Sequence, residues 1–219
     1  QVGTGGVTAL TNGNYVVSSP LWNSGTGAVT WGNGTYGVTG TASGSNSLVG
    51  SNAGDQVGGF FATVALANGN YVVSSPNWNS DRGAVTWGNG VSGTTGTVTS
   101  LNSLVGTQPF DQVGTGGVTA LTNGNYVVSS PFWNNGAAAL AGAVTWSNGA
   151  TSATRTTGAV NAANSLVGTN ANDQVGLYGA TALATNGNYV VNSPQWNNGT
   201  GAVTWGSGPA GVSGSIGSG

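Results

Sequence analysis

The nine-residue phrase NGNYVVSSP fills positions 12–20 and returns unchanged at 68–76 and 123–131. It returns once more at 186–194 with a single change, as NGNYVVNSP. A chain that repeats itself at a steady interval stacks copies of one supersecondary unit, so the period constrains the fold before local propensity does. The tyrosines of the phrase, Tyr15, Tyr71, Tyr126 and Tyr189, lie 56, 55 and 63 residues apart. A second phrase, GAVTW, ends at Trp31, Trp87, Trp146 and Trp205, spaced 56, 59 and 59 residues. The irregular third interval comes from NNGAAALAGAVTW at 134–146, where one loop has grown between intact flanks.

The first unit holds four strand candidates: GVTAL, NYVVSS, AVTW and SLVG. β-Branched and aromatic residues fill them, while Gly, Asn and Ser fill the gaps. No stretch has helical periodicity of useful length. Asn12-Gly13 between the first two candidates predicts a two-residue type I′ hairpin, because both residues tolerate positive φ. Tyr15, Val16 and Val17 are consecutive apolar residues. Such strands are buried on both faces, as in a β-propeller blade that packs between two others. The expected fold is all-β: a β-propeller-like array of four repeats of about 55 residues, each four-stranded, with a β-solenoid or sandwich array as the alternative. The chain reads as one repeat domain, 1–219, with units 1–55, 56–111, 112–173 and an incomplete 174–219.

The order of phrases resembles the FG-GAP repeat of integrin-α-type propellers. Val2-Gly3 stands where that family has "FG", Ser19-Pro20 stands for its "AP", and Gly27 to Trp31 stand for its last strand. The unit is also similar to repeats of large bacterial haemagglutinin-like surface adhesins. The FG-GAP turn is a calcium cage of several aspartates. Here the turn is Asn12-Gly13-Asn14, with equivalents at Asn68, Asn123 and Asn186. Ca²⁺ needs a cluster of oxygens that usually includes carboxylates, so the expectation is a fold that forms without metal or other cofactor.

Composition narrows the function. Charged residues are 3% of the chain and hydrophobic residues 37%. Arg82 and Arg155 are its basic residues, Asp55, Asp81, Asp111 and Asp173 its acidic ones, and Lys, Glu, His, Cys and Met are absent. Nucleic acid and anionic membranes call for basic clusters, which this chain lacks. No apolar run reaches the length of a membrane-spanning helix. General acid–base catalysis draws on His, Glu, Asp, Lys, Tyr or Cys with tuned pKa values, and no such constellation is written here. Asp55, Asp111 and Asp173 each precede QVG, which predicts turn caps that bond their own backbone two residues on. Asp81 and Arg82 read as a solvated loop pair. No nucleotide-binding glycine loop with its lysine is present. The chain is expected not to be an enzyme.

Two sets of tryptophans remain as binding candidates. Trp31, Trp87, Trp146 and Trp205 end strands and are expected to pack between units, together with Tyr15, Tyr71, Tyr126 and Tyr189. Trp22, Trp78, Trp133 and Trp196 follow SP-x in loops, where they either stack on a sugar ring or plug the gap between units. A nearly neutral surface favours association, and no lysine blunts the sheet edges. The expected role is a structural or adhesive element, extracellular or on a bacterial surface, whose partners are other copies of itself. A sugar-binding propeller is the alternative. NSLVG occurs at 46–50, 102–106 and 164–168 but has no fourth copy before Gly219. The fourth unit is therefore expected to leave an open sheet edge.

Overall fold

A computed structural model describes residues 1–59 and 63–217. The first repeat forms β1 (Gly6–Ala9), β2 (Tyr15–Ser19), β3 (Ala28–Gly32) and β4 (Ser47–Val49). The second forms β5 (Thr63–Ala65), β6 (Tyr71–Ser75), β7 (Ala84–Gly88), β8 (Gly96–Thr97) and β9 (Ser103–Val105). The third forms β10 (Val118–Ala120), β11 (Tyr126–Ser130), β12 (Ala143–Ser147), β13 (Gly158–Ala159) and β14 (Leu166–Val167). The fourth forms β15 (Ala180–Ala182), β16 (Tyr189–Ser193), β17 (Ala202–Gly206) and β18 (Gly214–Ser215). The protein is an all-β array of four repeats, and among the described residues its strands close into no barrel.

The register repeats from unit to unit. Tyr15 sits opposite Gly32, Tyr71 opposite Gly88 and Tyr189 opposite Gly206. Those glycines make room for the ring, because a Cβ on Gly88 would fall 2.1 Å from Tyr71 Cζ. The third unit has Ser147 opposite Tyr126.

The hairpin turn differs from the type I′ expectation. In the first unit Gly13 alone has positive φ, and its N–H donates to Leu10 O at 3.1 Å. Asn12 keeps negative φ because its side-chain oxygen accepts the Asn14 N–H at 3.1 Å. The connection is thus a three-residue turn that ends in a left-handed glycine. The fourth unit carries one extra residue in this loop, and there both Asn186 and Gly187 have positive φ.

Sheet composition corrects the four-stranded expectation. The first sheet runs β1-β2-β3-β4-β8, so its fifth strand comes from the second repeat. β8 lies parallel to β4, with Leu48 opposite Gly96 and Val49 opposite Thr97. β13 and β18 complete the second and third sheets in the same parallel manner. The fourth sheet, β15-β16-β17, has three strands. The Gly-rich links that follow GAVTW in the second, third and fourth units therefore reach back across the interface to the preceding unit.

The hydrophobic core lies between sheets. One cluster joins Val16, Val29 and Leu48 of the first unit to Tyr71, Val73, Trp78 and Val105 of the second. Another joins Val72, Val85, Trp87 and Leu104 to Tyr126, Val128 and Trp133. The last joins Val127, Val144 and Leu166 to Tyr189 and Val191. Alternate residues of the phrase YVVSS thus face opposite neighbours, as the two-residue period of a strand requires. Fully burying one such side chain is worth about 1.5–3 kcal/mol, so most of the stability resides in the interfaces between units.

Candidate functional site: the contact between repeats

The same polar staples recur at each interface. Trp31 Nε1 donates to Gly90 O at 3.0 Å, Trp87 Nε1 to Gly149 O at 2.9 Å, and Trp146 Nε1 to Gly208 O at 2.8 Å. The second asparagine of NGNY joins the same acceptor: Asn14 Nδ2 meets Gly90 O at 2.9 Å, Asn70 meets Gly149 O at 2.9 Å, and Asn125 meets Gly208 O at 3.0 Å. Asn12 and Asn68 add a further amide each, to Gly90 O at 2.8 Å and Gly149 O at 2.9 Å. The turn amides that the resemblance placed at a calcium loop are therefore tied to the next repeat. The sequence analysis placed Asn14 in the turn without a partner and did not single out the acceptor glycines, although a glycine stands three residues after each AVTW tryptophan, in WGNG, WSNG and WGSG.

Asp55, Asp111 and Asp173 are buried and clamp two repeats together. Asp55 Oδ2 accepts the Ser51 and Asn52 N–H groups at 2.8 and 2.9 Å, and its Oδ1 accepts the Asn79 N–H of the next unit at 2.9 Å. Asp111 takes Thr107, Gln108 and Asn134 in the same way, and Asp173 takes Thr169, Asn170 and Asn197. The expected bond two residues onward is replaced by bonds three and four residues back, because the linker doubles back over the carboxylate. The bond to the next unit holds a strained turn, since Asn79, Ser80 and Asp81 all have positive φ. Asp81 and Arg82 turn to different partners. Asp81 Oδ1 accepts Asn77 Nδ2 at 3.0 Å, and Arg82 Nε donates to Thr107 O at 3.0 Å.

The SP-x tryptophans lie in tight turns rather than open loops. Trp78 and Trp133 are buried in the interfaces with the preceding unit, while Trp22 and Trp196 are half-buried. The indole N–H groups of Trp78, Trp133 and Trp196 have no acceptor. Trp22 lines an open groove with Val2, Val17, Thr30, Val38 and Asn46. Burial pushes the phenols of Tyr71, Tyr126 and Tyr189 up to about 12. Arg155 of the third unit lies 5.8 Å from the centroid of the Trp87 ring in the second, a cation–π contact. No group of three or more His, Cys, Asp or Glu side chains converges among the described residues.

In the first unit Gly34, the counterpart of Gly90, is exposed, and in the fourth Trp205 is 57% exposed and Val203 73%. These features define an all-β repeat protein in which one recurrent contact joins neighbouring units. A family model described as a repeat of unknown function (DUF5650) matches residues 9–59, 65–115, 120–177 and 183–219, and the chain belongs to that family. No curated protein matches the chain.

Proposed function

We propose that the protein is a non-enzymatic structural or adhesive element, working outside the cell or at a bacterial surface, whose units associate end to end. The observation that carries this reading is the recurrent contact between neighbouring units, in which the indole N–H of an AVTW tryptophan donates to a glycine carbonyl of the following repeat at all three interfaces. A head-to-tail contact whose rotation does not close into a ring generates filaments. The near absence of charge supports the reading, because colloidal repulsion is weak. The likeness of the phrases to FG-GAP repeats and to haemagglutinin-like adhesin repeats supports a surface location.

Sedimentation velocity over a range of concentrations, with electron microscopy of the same samples, tests the proposal. The native chain is expected to associate, and Trp205→Ala to associate at least tenfold more weakly. A native chain that stays monomeric at high concentration overturns it. A second reading, sugar binding, is supported by the Trp22 groove, where an aromatic face lies near the Asn46 amide. A shift of Trp fluorescence on addition of sugars, abolished by Trp22→Ala in a folded variant, would favour that reading.

A further inference from the structure

We infer that Asn186 is a site of spontaneous covalent modification, where the side chain closes onto the backbone nitrogen of Gly187 and loses its amide as ammonia. Asn-Gly occurs nine times in the sequence. In such a pair no side chain shields the glycine nitrogen, which is held beside the asparagine side-chain carbon for an intramolecular attack. Two hydrogen bonds oppose that attack, one that fixes the side-chain oxygen and one that engages the glycine N–H. The first three copies of NGNY have both. Asn12, Asn68 and Asn123 each accept, through Oδ1, the N–H of the residue two places on at 3.1 Å. The N–H groups of Gly13, Gly69 and Gly124 donate to the carbonyls of Leu10, Leu66 and Leu121, again at 3.1 Å.

The fourth unit writes the same phrase and has neither bond. Its loop reads ALATNGNY where the first and third read ALTNGNY. With Ala184 added, the Asn188 N–H donates to Thr185 O at 3.3 Å, and Asn186 takes a φ of 58°. Neither the Asn186 side chain nor the Gly187 N–H has a partner among the described residues. Both losses lie within one turn and follow from its length, so they depend on no neighbouring unit. Solvent access does not separate the four sites, because Asn12, Asn68 and Asn123 are exposed as well. Every other Asn-Gly pair is held on at least one side. The N–H groups of Gly34, Gly90 and Gly149 donate to asparagine Oδ1 atoms, Asn135 Nδ2 donates to Gly168 O, and the Gly199 N–H donates to Gln195 O. In the reaction, water or hydroxide takes the Gly187 amide proton and the nitrogen bonds to Asn186 Cγ. The Cγ–Nδ2 bond breaks and ammonia leaves, which gives a cyclic imide. Water then opens the ring at either carbonyl and leaves an aspartyl or isoaspartyl residue at position 186. The chain, with a net charge of −2, gains one negative charge. The isoaspartyl form also inserts a methylene into the main chain, where Asn186 O accepts Asn123 Nδ2 at 3.3 Å. None of this rests on end-to-end association.

The test incubates the native chain at mildly alkaline pH, digests it with chymotrypsin, and follows each Asn-Gly peptide by mass spectrometry. Conversion at position 186 should run at least about tenfold faster than at Asn68 or Asn123, because those sites must first break two hydrogen bonds. In urea the three sites should convert at similar rates, since each is written NGNY. Deletion of Ala184 rewrites the loop as TALTNGNY, the sequence of residues 8–15, and should slow position 186 to the rate of its counterparts. Insertion of an alanine after Leu121 should speed Asn123 in turn, a second variant that reads the same effect in the opposite direction. Equal rates at the three sites in the folded chain, the same spread of rates in urea, faster conversion at another Asn-Gly pair, or rates unmoved by the deletion and the insertion overturn the inference.

Discussion

Asp55 Oδ1 accepts the backbone N–H of Asn79 at 2.9 Å, and the two residues belong to neighbouring repeats. A carboxylate buried without a cation is ordinarily costly. Here three peptide dipoles replace the cation, and one of them comes from the next unit.

The strongest form of this clamp is Asp111, which accepts Thr107, Gln108 and Asn134 N–H groups together with Asn134 Nδ2 at 2.7 Å. Asp111→Ala should cost about 3 kcal/mol, because it strands several N–H donors in a buried site. Asp111→Asn should be intermediate, because an amide hydrogen then faces backbone donors. Urea denaturation of the three proteins checks the order.

Identical local sequence should give opposite mutational outcomes at the two kinds of AVTW tryptophan. Trp87→Phe removes the indole bond to Gly149 O, which keeps the Asn68 and Asn70 amides as donors, and should cost about 0.5–1.5 kcal/mol, the net worth of one hydrogen bond. Trp205→Phe should change monomer stability by less than about 0.5 kcal/mol, as exposed positions do. Thermal melts at a concentration where both are monomeric decide this.

Gly83 and Gly201 share positive φ but not their surroundings. A Cβ on Gly83 would lie 2.2 Å from Val113 N, whereas a Cβ on Gly201 meets nothing closer than 3.5 Å. Gly201→Ala should carry only the left-handed cost, about 1–2 kcal/mol. Gly83→Ala should cost about 3 kcal/mol or more, because the linker must also move. Equal losses in chemical denaturation would refute the close approach.

Alkaline pH should unfold the protein through its tyrosines. The unfolded chain releases phenolic protons near 10, whereas Tyr71 and Tyr126 hold theirs to about 12 when folded. The folded state therefore binds more protons in that window. Stability is fully present below pH 10 and is lost as pH rises toward 12, by about 1.4 kcal/mol per pH unit for each tyrosine. Denaturant midpoints should fall between pH 9.5 and 11.5, and Tyr71→Phe should make the fall shallower.

Chelation should leave the melting temperature within about a degree, because the turn amides are already engaged. Asn12 and Asn14 donate to Gly90 O, Asn12 Oδ1 takes the Asn14 N–H, and Asn14 Oδ1 takes the Gly34 N–H. A drop of several degrees on adding a chelator would show a metal dependence that these bonds do not provide.

The repeated phrases by themselves determined four units, their hairpins and the position of nearly every strand. Tyr15–Ser19, Ala28–Gly32 and Ser47–Val49 fall where YVVSS, GAVTW and SLVG are written, because β-branched runs between glycines have few other options. They also marked the aspartates and tryptophans as places of recurrent structure. Only the tertiary structure decided that Gly96–Thr97 completes the sheet of the preceding repeat: two residues carry no periodicity, and their partner Leu48 is far away in sequence. Only it separated Val16, which faces the second unit, from Val17 beside it, since both faces of the strand are apolar. The local sequence around Trp31 and Trp205 is the same, yet one indole is bonded to the following repeat and the other is exposed. That difference depends on whether a neighbouring sheet is there to receive the ring, and a strand of five residues holds no record of its neighbour.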